Sequence, residues 1–133
     1  DPSNDIDGWD SALKITVLAN VHMGADLRPA DVERTGIGGM TIAQAQAALK
    51  EGRRIKLLGE AWRDGDAVRA RVAPVALSLD SPLAHVMRTS SAVTFEADTL
   101  TELTIIEGDS TPDTTAFGVL ADIVNIARGR HLT

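Results

Sequence analysis

Between Trp9 and Met23 the apolar side chains of Trp9, Leu13, Ile15, Val17, Leu18 and Val21 come too densely for a one-sided helix, which predicts a core helix buried on both flanks. Asp5 and Asp7 precede Gly8 at its entry, where acidic groups favour the positive end of a helix dipole, and Gly24 is placed to end it. Pro29 and four glycines from Gly24 to Gly39 then break the pattern, so 25–40 reads as a connector with room for one short strand or turn. Thr41-Ile42-Ala43-Gln44 carries a capping box, opening a second helix that runs to about Glu51 and stops at Gly52. Two apolar runs, Arg54 to Trp62 and Ala67 to Leu79, flank Arg63-Asp64-Gly65-Asp66 and predict a β-hairpin. Pro74 marks an edge, a bulge or the end of its second strand.

Ser81-Pro82 places a cap and a first-turn proline before a short helix over Leu83 to Met87. A second hairpin is expected from Ala92 to Glu107, turning near Asp98. The last element has Thr111 as cap, Pro112 at the first helical position, Phe117, Leu120, Ile123, Val124 and Ala127 at helical spacing, and Gly129 as the stop. The resulting fold class is α+β, a mixed, mostly antiparallel sheet of four or more strands flanked by helices. Three helices cannot cover both faces of such a sheet, so an exposed apolar face is expected to meet another domain or subunit.

At 133 residues and 44% hydrophobic content, one domain over 1–133 is expected. With aromatic residues at 3% and no tyrosine, its core must be aliphatic. A net charge of -6 argues against nucleic acid and against an anionic membrane surface. Lack of cysteine removes disulfides, thiolate nucleophiles and thiolate metal ligands. No apolar run is long enough to span a bilayer, and a cytoplasmic location is the plain expectation. The start lacks methionine and lies in an acidic stretch, from which a fragment of a longer protein is expected.

The compact chemistry lies in that stretch. Asp10 and Lys14, four residues apart, share one helix face. In a helix otherwise aliphatic, Lys14 would be desolvated and its pKa drawn toward neutrality, suiting it to exchange a proton with an alcohol or carbonyl while Asp10 holds substrate or water. The same spacing also describes an ordinary ion pair supporting the helix by about a few tenths of a kcal/mol. Asp5 and Asp7 could bind a cationic or polyhydroxyl substrate, or simply cap a turn. His22, His85 and His131 lack paired ligand spacing, so no metal is expected. Lys56 reads as snorkelling at a sheet edge. Residues 108–115 lead into a helix N-terminus that could meet an anion, although Asp109 and Asp113 favour capping as its role. Neither a dinucleotide fingerprint nor a phosphate-binding loop is present, and Gly36-Ile37-Gly38-Gly39 is too short and wrongly placed for one.

The order of motifs resembles the catalytic, substrate-binding and dimerisation domain of homoserine dehydrogenase. The resemblance is carried by Asp1-Pro2, then Asp5-Ile6-Asp7-Gly8-Trp9-Asp10 with Lys14; Thr35-Gly36-Ile37; Ile55-Lys56-Leu57-Leu58-Gly59; Arg71-Val72-Ala73-Pro74; Pro82-Leu83-Ala84; and Thr111-Pro112 through Ala121-Asp122. It implies Lys14 as the proton-transfer lysine, Asp10 as its catalytic partner and Asp5 as a substrate-binding carboxylate. It further implies NAD(P) held mainly by a Rossmann domain absent from this chain, a homodimer, and interconversion of aspartate semialdehyde and homoserine in threonine and methionine biosynthesis. The chain departs from that pattern in Glu107-Gly108-Asp109-Ser110, where the family has a glycine-rich segment, and in Ser91, where it has asparagine. The position where the family has a glutamate upstream of Asp-Pro lies before Asp1. Two alternatives accompany this reading: a related oxidoreductase for another small hydroxy acid or sugar acid, and a non-catalytic dimerisation or ligand-binding module.

Overall fold

The computed structural model describes residues 1–129, which form two compact units, Asp1–Ala84 and a second beginning at His85. In the first unit a one-turn helix, α1 (Ser3–Ile6), meets Gly8, whose φ of 80° turns the chain into α2 (Trp9–Met23). Gly24, at φ 66°, ends α2 as expected. The connector forms a 3-10 turn, Pro29–Asp31, and a short strand, β1 (Glu33–Arg34). Helix α3 (Ile42–Lys50) starts at Thr41, whose hydroxyl accepts from the Gln44 amide while the Gln44 side chain accepts from the Thr41 N–H, the reciprocal cap its sequence predicts.

The hairpin strands β2 (Arg53–Asp64) and β3 (Ala67–Ser78) pair antiparallel, and β1 adds to β3 in parallel, giving a mixed sheet in the order β1-β3-β2. Gly65, at φ 62°, makes the two-residue turn. Pro74 pairs with Leu57 on one side, while β1 reaches only as far as Val72 on the other. The proline therefore sits where β3 has become an edge, the placement its missing N–H requires. A 3-10 turn over Pro82–His85 replaces the short helix expected to reach Met87.

In the second unit β4 (Ser91–Phe95) and β5 (Leu103–Glu107) form their own antiparallel pair, followed by α4 (Pro112–Ala127) with Thr111 as cap. The single sheet of four or more strands is thus two sheets, of three and two strands. The α+β class, with mixed and antiparallel pairing flanked by helices, is as expected.

The expectation of a helix buried on both flanks is overturned. In α2 the buried residues are Ala12, Thr16 and Ala19, whereas Leu13, Val17 and Val21 are more than half exposed. Beside that buried stripe, Ser11 and Ile15 lie on Gly59 of β2, where an added Cβ would stand 3.2 Å from Ile15 Cβ and 3.5 Å from the Ser11 carbonyl oxygen. Close approach, not bulk, joins this helix to the sheet. The core they enclose, Ala12, Val32, Ala70 and Val72 with Ile15, Leu27, Leu57 and Ala61 around it, is aliphatic.

Candidate active site

Three short segments of the first unit converge on the entry to α2. Gly36 comes so near the acidic turn that an added Cβ would lie 2.6 Å from the Ile6 carbonyl oxygen and 2.8 Å from Asp7 Cα. The Ile37 N–H donates to that Ile6 oxygen at 2.8 Å, and the Thr35 N–H donates to Val72 O at 2.8 Å. The turn bearing Asp5 is thereby tied through 35–37 to the central strand. On the other side the Asn20 amide grips Leu27 twice, accepting from its N–H and donating to its carbonyl oxygen, each at 2.9 Å. An Arg28–Asp31 pair closes the turn that follows. Asp31 holds the Arg28 guanidinium above its usual pKa, and hydrogen bonds from Arg28 hold the Asp31 carboxyl below its own.

Between these supports is an open groove of about 550 Å³, lined by Asn4, Asp5, Trp9, Asp10, Leu13 and Pro29. Asp5 and Asp10 thus face one space from different helices, and Trp9, Leu13 and Pro29 give it apolar walls. At its edge Lys14 Nζ is 2.7 Å from Asp10 Oδ2. The groove brings Asp5 and Asp10 together, and Lys14, which does not line it, is joined to it through its pair with Asp10. It does not bury the lysine: 69% of its side chain is exposed. Position 14 follows the buried Ala12 by two residues, about 200° around the helix, which turns it away from the sheet. Desolvation within this chain is therefore not what distinguishes Lys14; its fixed ion pair at the groove is.

Sequence reasoning missed Asn20 and Pro29, and treated Gly36 and Gly59 as structural matches without saying what they hold. A bracing asparagine leaves no periodic signal, because its partners are backbone atoms seven residues away. Lys56 lies on β2 at the edge of the sheet, half-buried, and its pKa is lowered by burial and then by the charge of Arg54. His131 lies outside the described residues; His22 and His85 belong to no cluster of potential metal ligands among them.

The loop entering α4 caps that helix, with Thr111 Oγ1 accepting from Thr114 N. Asp109 Oδ1 accepts from Thr89 Oγ1 at 3.3 Å and from Ser90 Oγ at 3.1 Å, and Arg88 stands 3.9 Å from Oδ2. A carboxylate so placed is a poor host for a phosphate. Among the described residues no helix is long and apolar enough to cross a membrane.

A mixed sheet flanked by helices, with Asp5 of α1 and Asp10 of α2 lining one groove, makes this an α+β domain, and its solved counterparts are domains of homoserine dehydrogenases. The profile of the homoserine dehydrogenase family matches residues 1–124, and the chain belongs to that family. It is similar to the NAD(+)-dependent homoserine dehydrogenase of Pseudomonas canavaninivorans, 35% identical over 127 residues, covering 95% of this chain and 36% of that protein. The homoserine dehydrogenase of Methanocaldococcus jannaschii is 36% identical over 126 residues, with the same two coverages. Among solved structures, the Thiobacillus denitrificans homoserine dehydrogenase superposes with a TM-score of 0.87 at 30% identity, over 96% of this chain and 30% of that one. The S. aureus enzyme superposes at 0.86 and 27% identity, over 96% and 32%. The chain spans about a third of the length of the relatives it matches.

Proposed function

We propose that this chain is the substrate half of an NAD(P)-dependent homoserine dehydrogenase, and that Lys14 exchanges the proton when aspartate semialdehyde and homoserine interconvert. The observation carrying this reading is the Lys14–Asp10 pair at 2.7 Å, on a groove that Asp5 also lines. In the reductive direction the Lys14 ammonium donates to the carbonyl oxygen as it becomes an alkoxide, directly or through water; in the oxidative direction the amine takes that proton back. Asp10 fixes the amine's position, and with Asp5 orients the substrate through charge-assisted hydrogen bonds, for which its α-ammonium group is the natural donor. Leu13, Trp9 and Pro29 exclude water along its carbon chain.

The reaction also needs a hydride, which NAD(P)H supplies. The residues present do not fit its phosphates, since Asp109 occupies the loop entering α4 and no glycine cradle accompanies it. Binding of the dinucleotide therefore falls to the rest of the full-length protein, for which a Rossmann domain is the expected form, and the isolated chain should not turn over. Exposure of Lys14 fits this division of labour, because the amine would be sheltered only once the cofactor-bearing part stands over α2.

A second reading, a binding and dimerisation module without catalysis, draws on the same self-satisfied Asp109 loop. A substrate panel on the full-length protein separates the readings. NAD(P)H consumption with aspartate semialdehyde above that with other small hydroxy-acid precursors is expected. Preference for another aldehyde would keep the chemistry and change the substrate; no turnover with any member would leave the module.

A further inference from the structure

Arg34 makes two contacts beside this groove, to Trp9 and to the Asp7 carbonyl oxygen, that the proton chemistry does not require. Its guanidinium carbon lies 3.8 Å from the centroid of the Trp9 ring, and its Nη1 donates to the carbonyl oxygen of Asp7. Its stem passes under the turn: a Cβ on the buried Gly8 would stand 3.4 Å from Arg34 Cγ and 3.6 Å from Cδ. The residue itself is fixed by pairing with Val72 across β1 and β3, and Val72 is fully buried. One half-buried side chain thus joins the sheet both to the Asp5–Gly8 turn, which Val72 and residues 35–37 also support, and to the Trp9 wall of the groove.

We propose that Arg34 is a positioning residue for the substrate groove, setting the place of the Trp9 ring and of the turn carrying Asp5 through a cation–π contact and a hydrogen bond to Asp7 O. The proposal rests on the function given above and concerns how the groove binds, not how the proton moves. Stacking on Trp9 uses the planar cation, and reaching Asp7 O uses an N–H of the same fork; both are held at once because guanidinium offers a face and an edge. Lysine can supply the charge and one N–H but not the flat face, so it should restore part of the effect. Glutamine supplies neither the charge nor the reach.

The test uses the full-length protein with 5-fluorotryptophan incorporated, the Trp9 resonance being assigned by its loss in Trp9→Phe. Arg34→Met and Arg34→Gln should raise KM for aspartate semialdehyde about tenfold while kcat stays within about twofold, the split expected when ground-state and transition-state binding are lost together. Both should shift the Trp9 fluorine resonance, and Arg34→Lys should bring KM back to within about threefold of the starting protein. Should Arg34→Met fail to fold, the contrast between glutamine and lysine decides. Equal KM values in all folded variants, or an unmoved Trp9 resonance, overturn the proposal; so does a failure of all three variants to fold, which would make Arg34 a support of the fold alone. A starting protein inactive with every substrate condemns the functional reading instead, and the fluorine shift then still reports on Arg34.

Discussion

Lys14 stands on the side of α2 that faces away from the sheet, so its neighbours are one carboxylate and open space. An exposed i,i+4 pair of this kind contributes at most about 1 kcal/mol to folding, so removing Lys14 should cost little stability. The Asp10–Lys14 pair was legible because a four-residue spacing on a helix fixes a shared face, whereas Asp5, on α1, was singled out only by the family resemblance. The exposure of the lysine was not legible, since it depends on which side of the helix meets the sheet, where Ala12, Thr16 and Ala19 are buried and Ser11 and Ile15 lie on Gly59. Lys56, half-buried on β2, is a lysine whose surroundings shift its pKa. Burial lowers its folded pKa, so between that value and the unfolded value of about 10.4 the unfolded chain binds more protons, and stability gains from rising pH. At lower pH the charged form carries its full desolvation cost in the fold. Urea unfolding of Lys56→Met beside the unaltered protein should show the advantage of methionine shrinking as pH rises toward that unfolded value. An advantage that grows instead would contradict the assignment.

At the scale of elements, the contact between α2 and β2 positions the groove. Helices α3 and α4 could be read from their caps because Thr41 with Gln44, and Thr111 with Pro112, act within four residues of sequence. The β2–β3 hairpin was equally local, set by Asp64-Gly65. The depth at which α2 sits was not local: it follows from a glycine 44 positions beyond Ile15 in the chain, against which that side chain packs. Gly59→Val should therefore overpack the contact and destabilise the protein by about 1–3 kcal/mol, as read by chemical denaturation. Activity should fall with it, because Asp10 and Lys14 ride on the displaced helix. A variant as stable as the original would show that the helix has room to move. α1 escaped the sequence reading because a single turn of helix has no periodicity to detect.

Over the whole molecule, the two units differ in how much they bury. Every buried hydrophobic residue of the described chain lies in the first unit, and none after Ala84. In the second, Ile105, Ile106, Phe117, Leu120, Ile123 and Ile126 are all more than half exposed. Sequence anticipated an uncovered apolar face but assigned it to one large sheet, because nothing in the strands themselves says that β4 and β5 pair only with each other. So much bare apolar surface marks an interaction face, and the chain spans only about a third of the length of its relatives. The isolated chain should bind an apolar dye such as ANS or self-associate in sedimentation; a monodisperse monomer without dye binding would run against this. The central claim is nevertheless chemical, and one measurement addresses it most directly: kcat of Lys14→Ala in the full-length protein, with NADPH and aspartate semialdehyde, alongside its unfolding midpoint. Loss of at least about a hundredfold in kcat, with stability changed by less than about 1 kcal/mol, is the predicted result. Turnover preserved in the alanine variant would contradict the account, leaving the pair with Asp10 as a surface ion pair and nothing more.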